Sequence, residues 1–115
     1  MGFGYLESVY EKCLLIELSK ANFQFESQKR INVFYENQPV GEFKADILVE
    51  EAIIVELKSV RHLVKVHEIQ LVNYLVATGK PLGLLINLGQ EKVEIRRKVK
   101  ELSQHGFFIK SCYPV

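Results

Sequence analysis

KADILVEEAIIVELKS (residues 44–59) reads as two apolar strands joined by a short acidic turn, with charges placed where burial is expected. Asp46 lies inside the first strand, and the second ends on Glu56 and Lys58. Side chains alternate across a strand, so Ile54, Glu56 and Lys58 share one face and Ile53, Val55 and Leu57 the other. By the same rule Asp46 shares its face with Lys44 and Leu48. Whether the two acids face each other depends on the turn. A two-residue loop pairs Val49 with Ala52 and separates the acids. A three-residue loop of Glu50, Glu51 and Ala52, or an equivalent bulge, pairs Val49 with Ile53 and sets Asp46 opposite Glu56. The sequence leaves both registers open.

Two like charges side by side in a sheet cost up to roughly 1 kcal/mol. A divalent cation between them reverses that penalty. Carboxylate oxygens are the hard ligands that Mg²⁺ (or Mn²⁺) takes, and such an ion activates water and neutralises phosphate charge. Lys58, on the face of Glu56, is placed to orient that water or to stabilise developing negative charge. The competing reading is an exposed strand end where Glu56 and Lys58 merely pair across the pleat. For an E-x-K tripeptide alone that is the commoner case. An Asp ten residues upstream, on the preceding strand, shifts the balance toward the metal without deciding between the two readings.

Outward from the hairpin, residues 5–21 carry Leu6, Val9, Tyr10, Cys13, Leu14, Leu18 and Ala21 at helical spacing. Residues 27–36 alternate, with Ile31, Val33 and Tyr35 on one face, and read as a strand. ENQPVG (residues 36–41) reads as a break, through Pro39 and Gly41. Residues 42–49 and 53–58 are the hairpin strands. Residues 65–78 are expected to be a helix, stopped by Gly79 and Pro81. LGLLINL (residues 82–88) is apolar on both faces, as a central strand is. Strand, helix and strand in succession imply a right-handed crossover into a mixed sheet. Beyond it, KVEI (residues 92–95) reads as an edge strand, RRKVKELSQHG (residues 96–106) as a short helix and FFIKSCYPV (residues 107–115) as an extended end. The fold class is therefore α/β, a mixed sheet flanked by helices in a single domain spanning residues 1–115.

A net charge of +1 provides no global basic field, so any polyanion site must be local. Two cysteines make no disulfide framework, which suits a reducing interior and a cytoplasmic location. Cys13, on the apolar side of its helix, is expected in the core. No apolar run reaches membrane-spanning length.

Asp46, Glu56 and Lys58 on a hairpin, with a helix before and a helix and strand after, resemble the PD-(D/E)XK nuclease superfamily. GYLESVY (residues 4–10) carries Gly4, Glu7 and Tyr10 in the pattern of the GxxExxY family within it. VGEFKAD, IIVELKSV, VHEIQLVNYL and GLLINLG look like that family's further blocks, in its order, over residues 4 to about 89. Its members usually carry another amphipathic helical stretch before the glycine, whereas this sequence starts almost at the motif.

The resemblance implies a restriction-endonuclease-like core and metal-dependent hydrolysis of nucleic-acid phosphodiesters, DNA being the expected substrate class. Asp46 and Glu56 would hold Mg²⁺ or Mn²⁺, and Lys58 would be the catalytic lysine. Glu7 matches a helical glutamate that approaches the same metal, although an acid in a helix's first turn is favoured by the dipole alone. Tyr10, one turn on, would cover the site or belong to the core. Gln70 and Tyr74 stand four apart with His67 three before, on one helical stripe. Similar pairs in the superfamily position the lysine, the water or the nucleic-acid backbone, whereas a plain polar face is the commoner fate of such residues. Arg61, Lys65 and His67 are expected to contact phosphates, with Arg96, Arg97, Lys98 and Lys100 as a second basic run. Two rivals remain: a catalytically inactive nucleic-acid-binding domain of the same fold, and a partner-binding protein. A homodimer is compatible with all three.

Overall fold

The structure, a computed structural model, describes residues 3–89 and 93–100. Its elements follow the order α1 (Phe3–Lys20), β1 (Phe25–Tyr35), β2 (Gln38–Val49), β3 (Ile53–Lys58), α2 (Lys65–Thr78), β4 (Leu82–Leu88) and β5 (Val93–Val99). The five strands form one mixed sheet in the order β1-β2-β3-β4-β5. Only β3 and β4 run parallel, because α2 connects them as a crossover; the other neighbours are antiparallel. The α/β class, the boundaries of α2 and those of β4 agree with the sequence reading. No described helix is long and apolar enough to cross a membrane.

Each helix buries one face of the sheet. Leu14, Leu15 and Leu18 of α1 pack against Ile47, Val49, Val55 and Leu57. Leu71 and Leu75 of α2 pack against Phe43, Ala45, Leu48, Ile54 and Leu85. Residues 43 and 45 therefore face α2, whereas 47 and 49 face α1, and the two-residue alternation of β2 breaks at Asp46. β1 breaks with it: Phe25 joins the α1 cluster, Ile31 and Val33 the α2 cluster. The pairing runs Ser27 with Ile47, then Lys29 with Ala45, skipping Gln28 and Asp46. Gln28 takes a left-handed φ of 53°, so both strands swap faces together and the register survives. Leu48 thus lies on the α2 face while Lys44 is exposed, which corrects the simple alternation.

Three further readings change. Pro39 and Gly41 lie within β2, because Glu36 and Asn37, both with positive φ, make the turn. The observed β3 pairing engages only residues 47–49 of β2, so Pro39 is missed by no partner on that side. The run RRKV belongs to β5 rather than to a helix, since pairing with β4 along its whole length satisfies its backbone. Cys13 is exposed, because α1 contacts the sheet through the leucines one to five residues further on. The ends expected for that helix and for the extended segment, residues 101–115, lie outside the described residues.

The crossover helix comes very close to the sheet at Gly83, where an added Cβ would stand 2.9 Å from the Leu71 side chain. Leu71 is 1% exposed and has little room to move. Gly83→Ala is therefore expected to lower stability by about 1–3 kcal/mol through overpacking. Urea denaturation should show a lower midpoint at unchanged slope.

Candidate active site

β2 and β3 pair from Val49 with Ile53 to Ile47 with Val55, the three-residue-loop register. Glu50 and Glu51 make it possible by adopting left-handed φ values of 55° and 59°. Glu50 is also tied to Gln24, whose N–H donates to its carboxylate at 2.6 Å. The backbone ladder ends at Ile47 and Val55, and the next rung of that register would set Asp46 against Glu56, whose carboxylate feels the charge of Asp46. The Asp46 carboxylate takes over, accepting the Leu57 N–H at 2.8 Å.

Glu56 is largely enclosed, and its Oε2 has no hydrogen-bond partner. Burial foremost, and then the charge of Asp46, push its pKa up to about 8. Lys58 and a hydrogen bond from the Asp46 backbone pull the other way, and Glu7 adds a smaller rise. Lys58 forms no ion pair within 4 Å among the described residues, so its ammonium acts on Glu56 only through space. Glu7 comes from α1 on the other side and accepts the Ser59 hydroxyl at 3.0 Å. Among the described residues no three His, Cys, Asp or Glu side chains group closely enough to hold a cation by themselves. The acidic pair is Asp46 and Glu56, with Glu7 at its margin.

Glu56 and Lys58 line an open cleft of about 370 Å³ between β2, β3 and α2. His67, Gln70 and Tyr74 line it from α2, and Phe43 and Lys44 from β2. Gln70 Nε2 donates to the Tyr74 hydroxyl at 2.9 Å, and the Tyr74 ring stacks on Phe43 at 3.9 Å between centroids. Burial, and then the negative charge of Glu56, raise the Tyr74 pKa. His67 Nδ1 accepts the Val64 N–H at 3.1 Å, so one imidazole nitrogen caps α2 and the other remains for the cleft. Tyr10 belongs elsewhere: it lines an apolar groove with Cys13, Leu57 and Val93.

Arg61 and Lys65 are exposed, in and just after the segment of residues 59–64 that joins β3 to α2. Half of the second basic run is engaged in ion pairs. Lys98 pairs with Glu68 at 2.6 Å, and Arg96 reaches Glu68 and Glu94 at 3.7 and 3.8 Å. The sequence reading missed Asn87, whose signal was a single polar residue inside an apolar strand. It also missed Ser59 and Lys44, which carry no such signal.

A model of the PD-(D/E)XK nuclease superfamily matches residues 1–98. Among solved structures, the chain superposes on the crystal structure of SSO0001 with a TM-score of 0.65 at 20% identity, covering 92% of this chain and 56% of that one. An alkaline exonuclease (LHK-Exo) from Laribacter hongkongensis gives 0.62 at 9% identity, covering 91% and 61%. The chain thus spans a little over half the length of each structure, and the likeness is one of fold. No curated protein sequence matches significantly.

The raised Glu56 pKa fixes the sign of a pH effect. An acid that titrates near 8 when folded and near 4.5 when unfolded holds more protons in the folded state between those values. Stability falls as pH rises through that window. Glu56→Gln removes the effect. Without metal the variant should come close to wild type at pH 5 and exceed it at pH 9 by on the order of 4 kcal/mol. Urea melts at the two pH values measure the difference.

Proposed function

Given that the chain belongs to the PD-(D/E)XK nuclease superfamily, we propose that it hydrolyses nucleic-acid phosphodiester bonds with the help of a divalent cation. We place it in the GxxExxY family on Gly4, Glu7 and Tyr10, with DNA as its substrate class. The observation that carries the reading is the buried Glu56 oxygen without a hydrogen-bond partner, on the carboxylate that feels the charge of Asp46. A chain that encloses a carboxylate beside a second one, with its pKa driven up, incurs a penalty that folding alone does not require.

The donor set fits Mg²⁺ or Mn²⁺, since both side chains offer hard oxygens and leave room for waters and phosphate. Asp46 and Glu56 would hold the ion. When bound, it would supply charge neutralisation and a more acidic water. Asp46 also holds the Leu57 N–H, so its carboxylate is fixed in direction before any ligand arrives. Lys58, without an ion pair among the described residues, presents a positive charge to a phosphate entering the cleft. Gln70 orients the Tyr74 hydroxyl, and the Phe43–Tyr74 stack forms one wall of the cleft. Arg61 and Lys65 contact backbone phosphates outside the cleft.

The test compares wild type, Glu56→Gln and Lys58→Ala in thermal melts with and without Mn²⁺, alongside cleavage of single-stranded, double-stranded and branched substrates. Mn²⁺ should raise the melting temperature of wild type and Lys58→Ala but not of Glu56→Gln. Cleavage should disappear in Glu56→Gln and fall by about 10²–10³-fold in Lys58→Ala. Equal stabilisation of all three proteins, with no cleavage by any, would leave the inactive nucleic-acid-binding reading in its place.

Exposed phosphate contacts carry a second signature. Arg61→Ala combined with Lys65→Ala should weaken binding similarly for all sequences and flatten its salt dependence by about two counterions. Titrations between 50 and 200 mM salt measure that slope.

A further inference from the structure

The most completely satisfied polar group beside the cleft is one that the proposed chemistry does not use. Asn87 sits in β4 directly beside Lys58 and is 0% exposed. Its Oδ1 accepts the Val60 N–H and its Nδ2 donates to the Val60 carbonyl, both at 2.9 Å. The same Nδ2 donates to Glu94 Oε1 at 2.9 Å, and that oxygen also accepts the Leu63 N–H at 3.1 Å. Glu94 Oε2 in turn approaches Arg96, which faces Glu68 on α2.

The placement is specific. β3 ends at Lys58, and residues 59–64 run to α2 without belonging to helix or strand. A segment of that kind normally wanders. Here an amide imitates a further strand residue by gripping both backbone groups of Val60, and a carboxylate grips Leu63. Arg61 and His62, both exposed, project from between the two fixed points. A buried Asn in an otherwise apolar strand adds little to a core, whereas holding two backbone positions on either side of an arginine reduces the freedom that a phosphate contact must remove.

We propose that Asn87 and Glu94 are positioning residues, a side-chain relay that fixes the segment after Lys58 and holds Arg61 ready for a substrate phosphate. The proposal rests on the nuclease reading for the identity of that substrate. The relay itself does not.

The test uses metal-free full-length protein and a duplex DNA of 20 base pairs. Glu94→Ala removes the acceptor for both Asn87 and Leu63. Glu94→Gln removes the charge but keeps the acceptor oxygen. Glu94→Ala should speed amide exchange at Leu63 by about tenfold and weaken DNA binding by about the same factor. The salt slope should shrink by about one counterion. Arg61→Ala should give a similar loss, and the two changes together should cost little more than either alone. Glu94→Gln should retain wild-type exchange and most of the affinity. Asn87→Asp, which sets acid against acid, should release both Val60 and Leu63; if it fails to fold, the Glu94 pair carries the test.

Losses from Glu94→Ala and Arg61→Ala that simply add, or equal behaviour of Glu94→Ala and Glu94→Gln, would overturn the relay alone, because wild type would still bind. Failure of wild type to bind any DNA or RNA probe would overturn the nuclease reading, and the relay's substrate role with it. Leu63 protection would still report whether the clamp exists.

Discussion

The hydrogen bond from the Leu57 N–H to the Asp46 carboxylate is the contact on which the arrangement turns. It stands where the β2–β3 backbone ladder stops, and it replaces the rung that would otherwise come next. A side chain has been substituted for a peptide group at the one position where β2 also changes face. The strand can then leave β3 and cross toward α2 without abandoning a buried N–H. The same carboxylate is left beside Glu56. Backbone satisfaction and the concentration of negative charge are therefore produced by one residue.

Around that contact the charges sort by depth. Glu56 and Lys58 line the cleft from β3 and Gln70 and Tyr74 line it from α2, while Arg61 and Lys65 are exposed in and just after the segment that leaves Lys58. Two of the three cations on β5, Arg96 and Lys98, are kept out of this gradient, because Glu68 and Glu94 occupy them. A chain with a net charge of +1 can still offer a locally positive approach in this way.

Much of this was legible in the sequence, for physical reasons that differ by element. α2 and β4 were clear because Gly79 sits in the left-handed conformation that stops a helix, and because LGLLINL is too short and too apolar for anything but a buried strand. The hairpin was clear but its register was not. Left-handed glutamates at positions 50 and 51 carry none of the glycine or asparagine signal by which such turns are recognised. The face swap was equally silent, since Gln28 adopts its positive φ without being glycine. The start of β5 was legible as an edge strand, but RRKV was misread because arginines and lysines favour helices locally, and only pairing with β4 and ion pairs to α2 overrule them. For the site, spacing put Glu56 and Lys58 on one strand face and His67, Gln70 and Tyr74 on one helical stripe, and these five line the cleft, whereas their expected roles came from the family resemblance. Asn87 escaped because a lone asparagine acquires meaning only when Val60 is seen across from it.

The paired irregularity at Gln28 and Asp46 has a consequence for how such a chain can vary. Both strands change face at the same rung, so neither can gain or lose a residue near it alone. A one-residue deletion in β1 ahead of Gln28 would leave Phe25 out of step with Val49, although every residue beyond the rung kept its partner. Only a matched deletion in β2 would restore the pairing, and that would move Asp46 relative to Leu57. Tolerance to insertion and deletion should therefore be confined to the turn at Glu36 and Asn37, far from the cleft, where length can change without passing through the crossing point.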